Sequence, residues 1–214
     1  MEIHAHHTPR HPHMQALLER YQKLGSPRLG FIPDWGATMT QMPRSLFKRY
    51  EQRGISPELI TAIDAYWNSK HGNGAALDDE QARQFADVVE LAGRHGAEDI
   101  AVELAVNSTG LFGHGLVEEW VEILPWVVHT HGKFYEIDEQ GEEPSVPIRE
   151  ILDAYIRNGY SSTISSEWEG FHWNNWENAF DVIARQQALM RDAAEKSGSR
   201  MITDVTEARA LKNW

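Results

Sequence analysis

The chain has 214 residues, enough for one domain with a substantial core or a tight pair. It is 41% apolar and 24% charged, as ordinary globular chains are, and its formal net charge of -12 argues against a nucleic-acid backbone as partner. There is no cysteine, which excludes disulfides and thiolate metal sites and fits a cytoplasmic home; no apolar run reaches membrane-span length, and the N-terminus carries no signal-peptide pattern.

In chain order, Glu2 and His4 alternate like the end of a strand. Pro12 opens an amphipathic helix on Met14, Leu17, Leu18, Tyr21 and Leu24, and Gly25 stops it. Leu29 to Asp34 reads as a short strand, with Pro33 near its end, where a missing N–H is tolerated. From Met42 to Leu124 the pattern is helical. Pro43 and Ser56-Pro57 are start signals; Ile60, Ile63 and Trp67 mark one apolar face, and Phe85, Val88, Val89 and Ala92 another. Ala97 to Val106 and Val117 to Leu124 are two further helical segments, and His71 to Gly74 is a loop. So long a block between two strands reads as an inserted subdomain or lid.

Trp126 to Phe134 is the central strand, short, β-branched at Val127 and Val128, and predicted to be buried. Strand alternation places His129, His131 and Lys133 on one face. Burying two imidazoles and an ammonium unpaired would cost several kcal/mol, so a metal or a polar substrate is the natural compensation. The plain alternative is a strand end at the rim with solvated histidines. Asp138 to Pro144 is an acidic turn expected at the surface. Pro147 opens a helix on Ile148, Ile151, Leu152, Tyr155 and Ile156, which Gly159 ends. Thr163 to Trp168 is the next strand, and Trp176 to Lys196 the last helix.

Alternating strands and helices predict an α/β fold with parallel strands and right-handed crossovers. The expected segments are 1–41 (first βα units), 42–124 (helical insertion), 125–198 (remaining βα units) and 199–214 (tail). Chemistry in such folds collects at the C-terminal ends of strands, where Glu2, Asp34, His131 and Glu167 fall, one per strand. Three carboxylates and one imidazole suit Mn²⁺ first, and Mg²⁺ or Co²⁺ next, better than a structural zinc. A cation there would polarise a sugar carbonyl, and flanking carboxylates would move a proton on the adjoining carbon. Each acid taken singly is more commonly a solvated surface group.

Gly30-Phe-Ile-Pro-Asp34, His129-Thr-His131-Gly-Lys133-Phe134 and Ile164-Ser-Ser-Glu167-Trp-Glu169 resemble the last three strands of xylose-isomerase-like TIM barrels. Glu2-Ile-His4 is similar to the end of that family's fifth strand. The family contains the sugar phosphate isomerases and epimerases. The resemblance implies a partial (β/α)8 barrel, roughly strands 5–8. It also implies a metal set of Glu2, Asp34, His131 and Glu167, with Glu2 and Glu167 as the acid–base pair. Lys133 and His129 are candidate substrate contacts, against an ion pair and a structural histidine as the plain readings. Trp168 is a candidate sugar-stacking surface, against core packing. Glu169 shares the face of Glu167 and is its rival in register.

The long insertion and the run His131-Gly-Lys-Phe-Tyr-Glu136 look closest to the larger subunit of C-glycoside deglycosidases, metal-dependent lyases that split the C–C bond of a 3-oxo-glycoside. That branch implies a second subunit and makes His4 the base that removes a sugar C–H proton. The leading expectation is a sugar isomerase or epimerase, with the lyase as alternative and a catalytically silent half-barrel as the third reading. Either a homo-oligomer or a hetero-oligomer is expected. The related metal-dependent DNA-repair endonucleases are disfavoured by the acidic balance. His6, His7, His11 and His13 read as a solvated cluster, and His114 and His172 as loop residues.

Overall fold

A computed structural model describes residues 1–4, 7–70, 78–204 and 206–207. His6, the loop His71 to Gly74, and positions 205 and 208–214 of the tail lie outside the described residues.

The first half of the chain supplies two very short strands, β1 (Glu2–Ile3) and β2 (Ile32–Pro33), which pair in parallel. Helix α1 (Pro12–Leu24) connects them. Pro12 sits where its missing N–H is harmless, and Gly25 ends the helix in the left-handed conformation at φ 59°. The amino group of Met1 donates to the Gly30 carbonyl at 2.6 Å, which ties the start of β1 to the approach of β2.

The second half supplies β3 (His129–Phe134) and β4 (Thr163–Trp168), parallel and in register from His129↔Thr163 to Phe134↔Trp168. Isolated parallel bridges Phe31↔Val127 and Asp34↔His131 join β2 to β3. The four strands therefore lie side by side in chain order, and the carboxyl ends of all four face one rim. Among the described residues they do not close a barrel. The partial TIM barrel expected from the sequence is thus observed only as a mixed α/β unit with short parallel pairs. A closed barrel of this kind needs about eight strands, and four leave the sheet open.

Helices α2 (Arg44–Gln52), α3 (Pro57–Asn68), α4 (Asp78–Arg94), α5 (Ala101–Val106) and α6 (Val117–Ile123) fill the predicted insertion. They share one hydrophobic core with the strands, in which Leu46, Ile63, Trp67, Val88 and Trp120 join Phe31, Trp35, Phe134 and Ile151. The Trp120 indole N–H donates to Thr38 Oγ1, and that of Trp173 to Ser45 Oγ at 3.0 Å, so both junctions are pinned by buried hydrogen bonds. Helices α7 (Ile148–Arg157) and α8 (Ala179–Lys196) follow β3 and β4 and pack on each other.

The acidic turn after β3 reaches the surface at Glu139 and Gln140, as its composition predicts, but turns back into the core at Glu143. Glu143 points inward and accepts the backbone N–H groups of Tyr135 and Glu136 on one oxygen, at 3.1 and 2.9 Å, and those of Ser145 and Val146 on the other, at 2.8 and 3.3 Å. Burial still pushes its pKa up, to about 8, against those donors. Glu136 in turn accepts from Arg44 N and Ser45 N, capping the first turn of α2.

Candidate metal centre

Strand alternation aims His129, His131 and Lys133 at one face of β3, as predicted, and each meets a different environment. His129, half-buried, lies between the hydroxyls of Thr163 and Ser165, at 2.7 Å from Nδ1 and 3.0 Å from Nε2. Both ring nitrogens are thereby engaged with β4, and burial lowers the pKa of the ring.

His131 sits at the rim. Its Nδ1 lies 2.8 Å from Glu2 Oε1 and 3.3 Å from Glu167 Oε2. One donor atom from each of Glu2, His131 and Glu167 falls within 4.8 Å of the other two, the spacing that a single cation requires. Glu167 Oε2 is buried and has no hydrogen-bond partner. A buried carboxylate oxygen that makes no hydrogen bond, beside a second carboxylate and an imidazole, fits a divalent cation.

Asp34 takes a neighbouring position. Its backbone bridges to His131, and its side chain is fully buried. Oδ1 accepts the Gly36 N–H at 2.7 Å, while Oδ2 lies 2.5 Å from Lys133 Nζ. The Asp34 carboxylate is thus turned to Lys133 rather than into the three-donor cluster. Lys133 is itself 1% exposed and also meets His4 Nε2 at 2.7 Å, Glu169 Oε1 at 3.2 Å and Glu167 Oε1 at 4.0 Å. An ammonium has only protons to offer, so His4 Nε2 must be the acceptor and the ring is neutral with its proton on Nδ1. The 3.3 Å approach of His4 Nε2 to Asp34 Oδ2 is then two acceptors sharing one ammonium, not an ion pair.

The charges explain the titration pattern. Burial raises Asp34 to about 6, with the Lys133 charge and hydrogen bond pulling the other way. Burial depresses the Lys133 ammonium, but Asp34, Glu169 and Glu167 together outweigh that and raise it. Both partners of one pair rise because burial dominates for the acid and the surrounding carboxylates dominate for the base. Burial also raises Glu167, and burial followed by the Lys133 charge lowers His4. Asp34, Glu167 and Glu169 face one ammonium and Glu2 lies against His131, so four carboxylates share the cluster with one ammonium, an excess of negative charge that a divalent cation would relieve.

Trp168 is 9% exposed, and its indole N–H donates to the Tyr135 carbonyl at 2.9 Å, so its ring anchors the end of β4. Sequence reasoning missed the part that Glu169 plays on Lys133; the shared face of Glu167 and Glu169 was the available signal. It also missed Gly36, where a Cβ would lie 2.7 Å from Lys133 Cδ, so the lysine stem runs flat over the glycine. A cavity of about 440 Å³ lined by Tyr21, Leu29, Trp126 and Val128 opens where β2 and β3 begin, at the opposite end from the carboxylates.

No protein-family model matches the chain. It is 47% identical over 216 residues to the C-glycoside deglycosidase alpha subunit of Microbacterium trichothecenolyticum, an alignment that covers 100% of this chain and 59% of that protein. It is 46% identical over 214 residues to a C-glycoside deglycosidase alpha subunit of Arthrobacter globiformis, covering 100% and 58%. With the 3'-dehydrocarminate deglycosidase alpha subunit of a Microbacterium species it shares 50% identity over 192 residues, covering 89% and 55%. The chain spans under three fifths of the length of these curated relatives. Their names give no support to the isomerase or epimerase expectation and favour the deglycosidase branch.

Proposed function

We propose that this chain carries the metal-holding half of a C-glycoside deglycosidase site, acting as a lyase on a 3-oxo-C-glycoside together with a second subunit. The convergence of Glu2, His131 and Glu167 on one point, with Glu167 Oε2 buried, without a hydrogen bond and 3.3 Å from His131 Nδ1, is the observation that carries it. Glu2, His131 and Glu167 would hold the cation, with Asp34 beside them; carboxylates with one imidazole suit Mn²⁺, with Mg²⁺ or Co²⁺ as the alternatives. Bound there, it would supply positive charge that polarises the sugar carbonyl.

The chain's own groups account for the proton movements. A 3-oxo group acidifies the hydrogen on the adjacent ring carbon. His4, neutral and half-exposed, would take that proton once Lys133 no longer occupies its Nε2. The electron pair left behind forms a C=C bond as the C–C bond to the aglycone breaks. The departing aglycone carbon then takes one proton from a general acid, which balances the elimination. The resemblance assigns that acid to Glu167, through the carboxylate oxygen not turned to the cation. Lys133 would bind a substrate oxygen when not held by Asp34.

The test is incubation of the chelator-treated protein, with its genomically adjacent subunit and with or without Mn²⁺, on a 3-oxo-C-glycoside. Release of free aglycone that depends on Mn²⁺ and is lost in His131→Ala supports the proposal. Epimer or ketose–aldose interconversion without aglycone release would return the isomerase reading.

A further inference from the structure

The inference below rests on the cation site just proposed. We propose that Lys133 is a resident cation that Asp34 exchanges for the divalent ion, and that Glu169 is the positioning residue that receives the displaced ammonium.

The geometry sets up a competition for one atom. Asp34 Oδ1 is occupied by the Gly36 N–H at 2.7 Å, so Oδ2 is the oxygen free to turn toward an ion held by Glu2, His131 and Glu167. Oδ2 is also the oxygen on which Lys133 Nζ rests, at 2.5 Å. Lys133 Nζ lies 4.0 Å from Glu167 Oε1, so a divalent charge on Glu167 would stand close to the ammonium and repel it. Glu169 Oε1 is 3.2 Å from the same nitrogen, and its side chain is 20% exposed, against 0% for Asp34. It therefore offers the ammonium a carboxylate that is partly solvated. The lysine stem lies against Gly36, which has no side chain to hold its carbons in place. Exchange also frees His4 Nε2, which Lys133 occupies at 2.7 Å, so loading the cation and baring the base become one event.

Opposite signs in two variants distinguish this from a merely supporting role. Mn²⁺ affinity is measured by calorimetry on chelator-stripped wild type, Lys133→Met and Glu169→Gln. Removing the competitor is expected to tighten binding about tenfold, the factor that about 1.4 kcal/mol represents. Removing the acceptor is expected to weaken it several-fold, since Lys133 then stays on Asp34. Adding Asp34→Asn to Lys133→Met should abolish the gain. If wild type binds Mn²⁺ and Lys133→Met binds it no more tightly, or both variants weaken alike, the exchange is overturned while the cation site stands. Should Lys133→Met fail to fold, the isosteric Glu169→Gln decides: unchanged affinity overturns the exchange. No Mn²⁺ binding by wild type overturns the cation site and the exchange with it.

Discussion

Gly170→Ala is expected to be severe although it adds one methyl group. Gly170 opens the turn after β4, and its φ is ordinary, so backbone strain is not the cause. A Cβ there would stand 2.0 Å from the Tyr135 carbonyl oxygen and 2.5 Å from Trp168 Nε1. The oxygen belongs to the backbone, so β3 and β4 must separate by about 1 Å at their ends to admit it. Overpacking of this kind costs about 1–3 kcal/mol, and the Trp168 N–H to Tyr135 bond that the methyl intrudes on adds about 1 kcal/mol. A loss of about 3 kcal/mol should lower Tm by roughly 6–12 °C in a chain of this size. Urea titration followed by tryptophan fluorescence gives the free energy directly. Because Glu167 precedes Trp168, separating the strands should also weaken Mn²⁺ binding in the folded variant. An alanine variant within 0.5 kcal/mol of wild type, with unchanged Mn²⁺ affinity, would refute the reasoning.

Gly36→Ala is expected to behave differently. Its Cβ would press on Lys133 Cδ at 2.7 Å and the Tyr135 hydroxyl at 2.9 Å, side-chain atoms rather than backbone but both buried, so stability should fall by about 1–3 kcal/mol while Mn²⁺ affinity shifts measurably. His4→Gln should abolish aglycone release and leave Mn²⁺ binding within about twofold, whereas Glu167→Gln should weaken the metal by at least about tenfold, both read by calorimetry beside a turnover assay. Glu143 has a folded pKa raised from 4.5 to about 8, so the stability it contributes is fully present below pH 4.5 and is lost as pH rises through about 8. Urea titrations at pH 5 and pH 8.5 should show wild type losing on the order of 2–4 kcal/mol more than Glu143→Gln across that window.

Where a signal is local, the sequence reads true. Pro12 and Gly25 bracket α1, and Thr163 and Trp168 bracket β4, because caps and β-branched runs act within a few residues. The last helix begins at Ala179 rather than at Trp176, since the Asn178 side chain caps Phe180 N and Asp181 N and fixes the start. Leu29 to Asp34 was expected as one strand; only Ile32 and Pro33 pair as a strand, with Phe31 and Asp34 in single bridges to Val127 and His131. Pairing of that kind depends on where a partner nearly a hundred residues away comes to lie, and composition does not encode it. Glu143 shows the same limit from the other side. An acid in a polar turn reads as solvated until four backbone N–H groups are seen to converge on it.

The site was legible in its members but not in its pairing. Period-two alternation is enough to aim His131 and Lys133 at one face, and parallel order is enough to bring Glu2 and Glu167 to the same rim. Neither says which cation each carboxylate will choose. That choice turns on the path of the Lys133 side chain, which lies over Gly36 and brings its ammonium to Asp34. Burial makes the pairing consequential: a carboxylate that is 0% exposed cannot wait unpaired for a metal, because leaving it so costs several kcal/mol. In the proposed exchange Lys133 serves as a tethered cation for that carboxylate, and Glu169, just past the end of β4, is the acid that receives it.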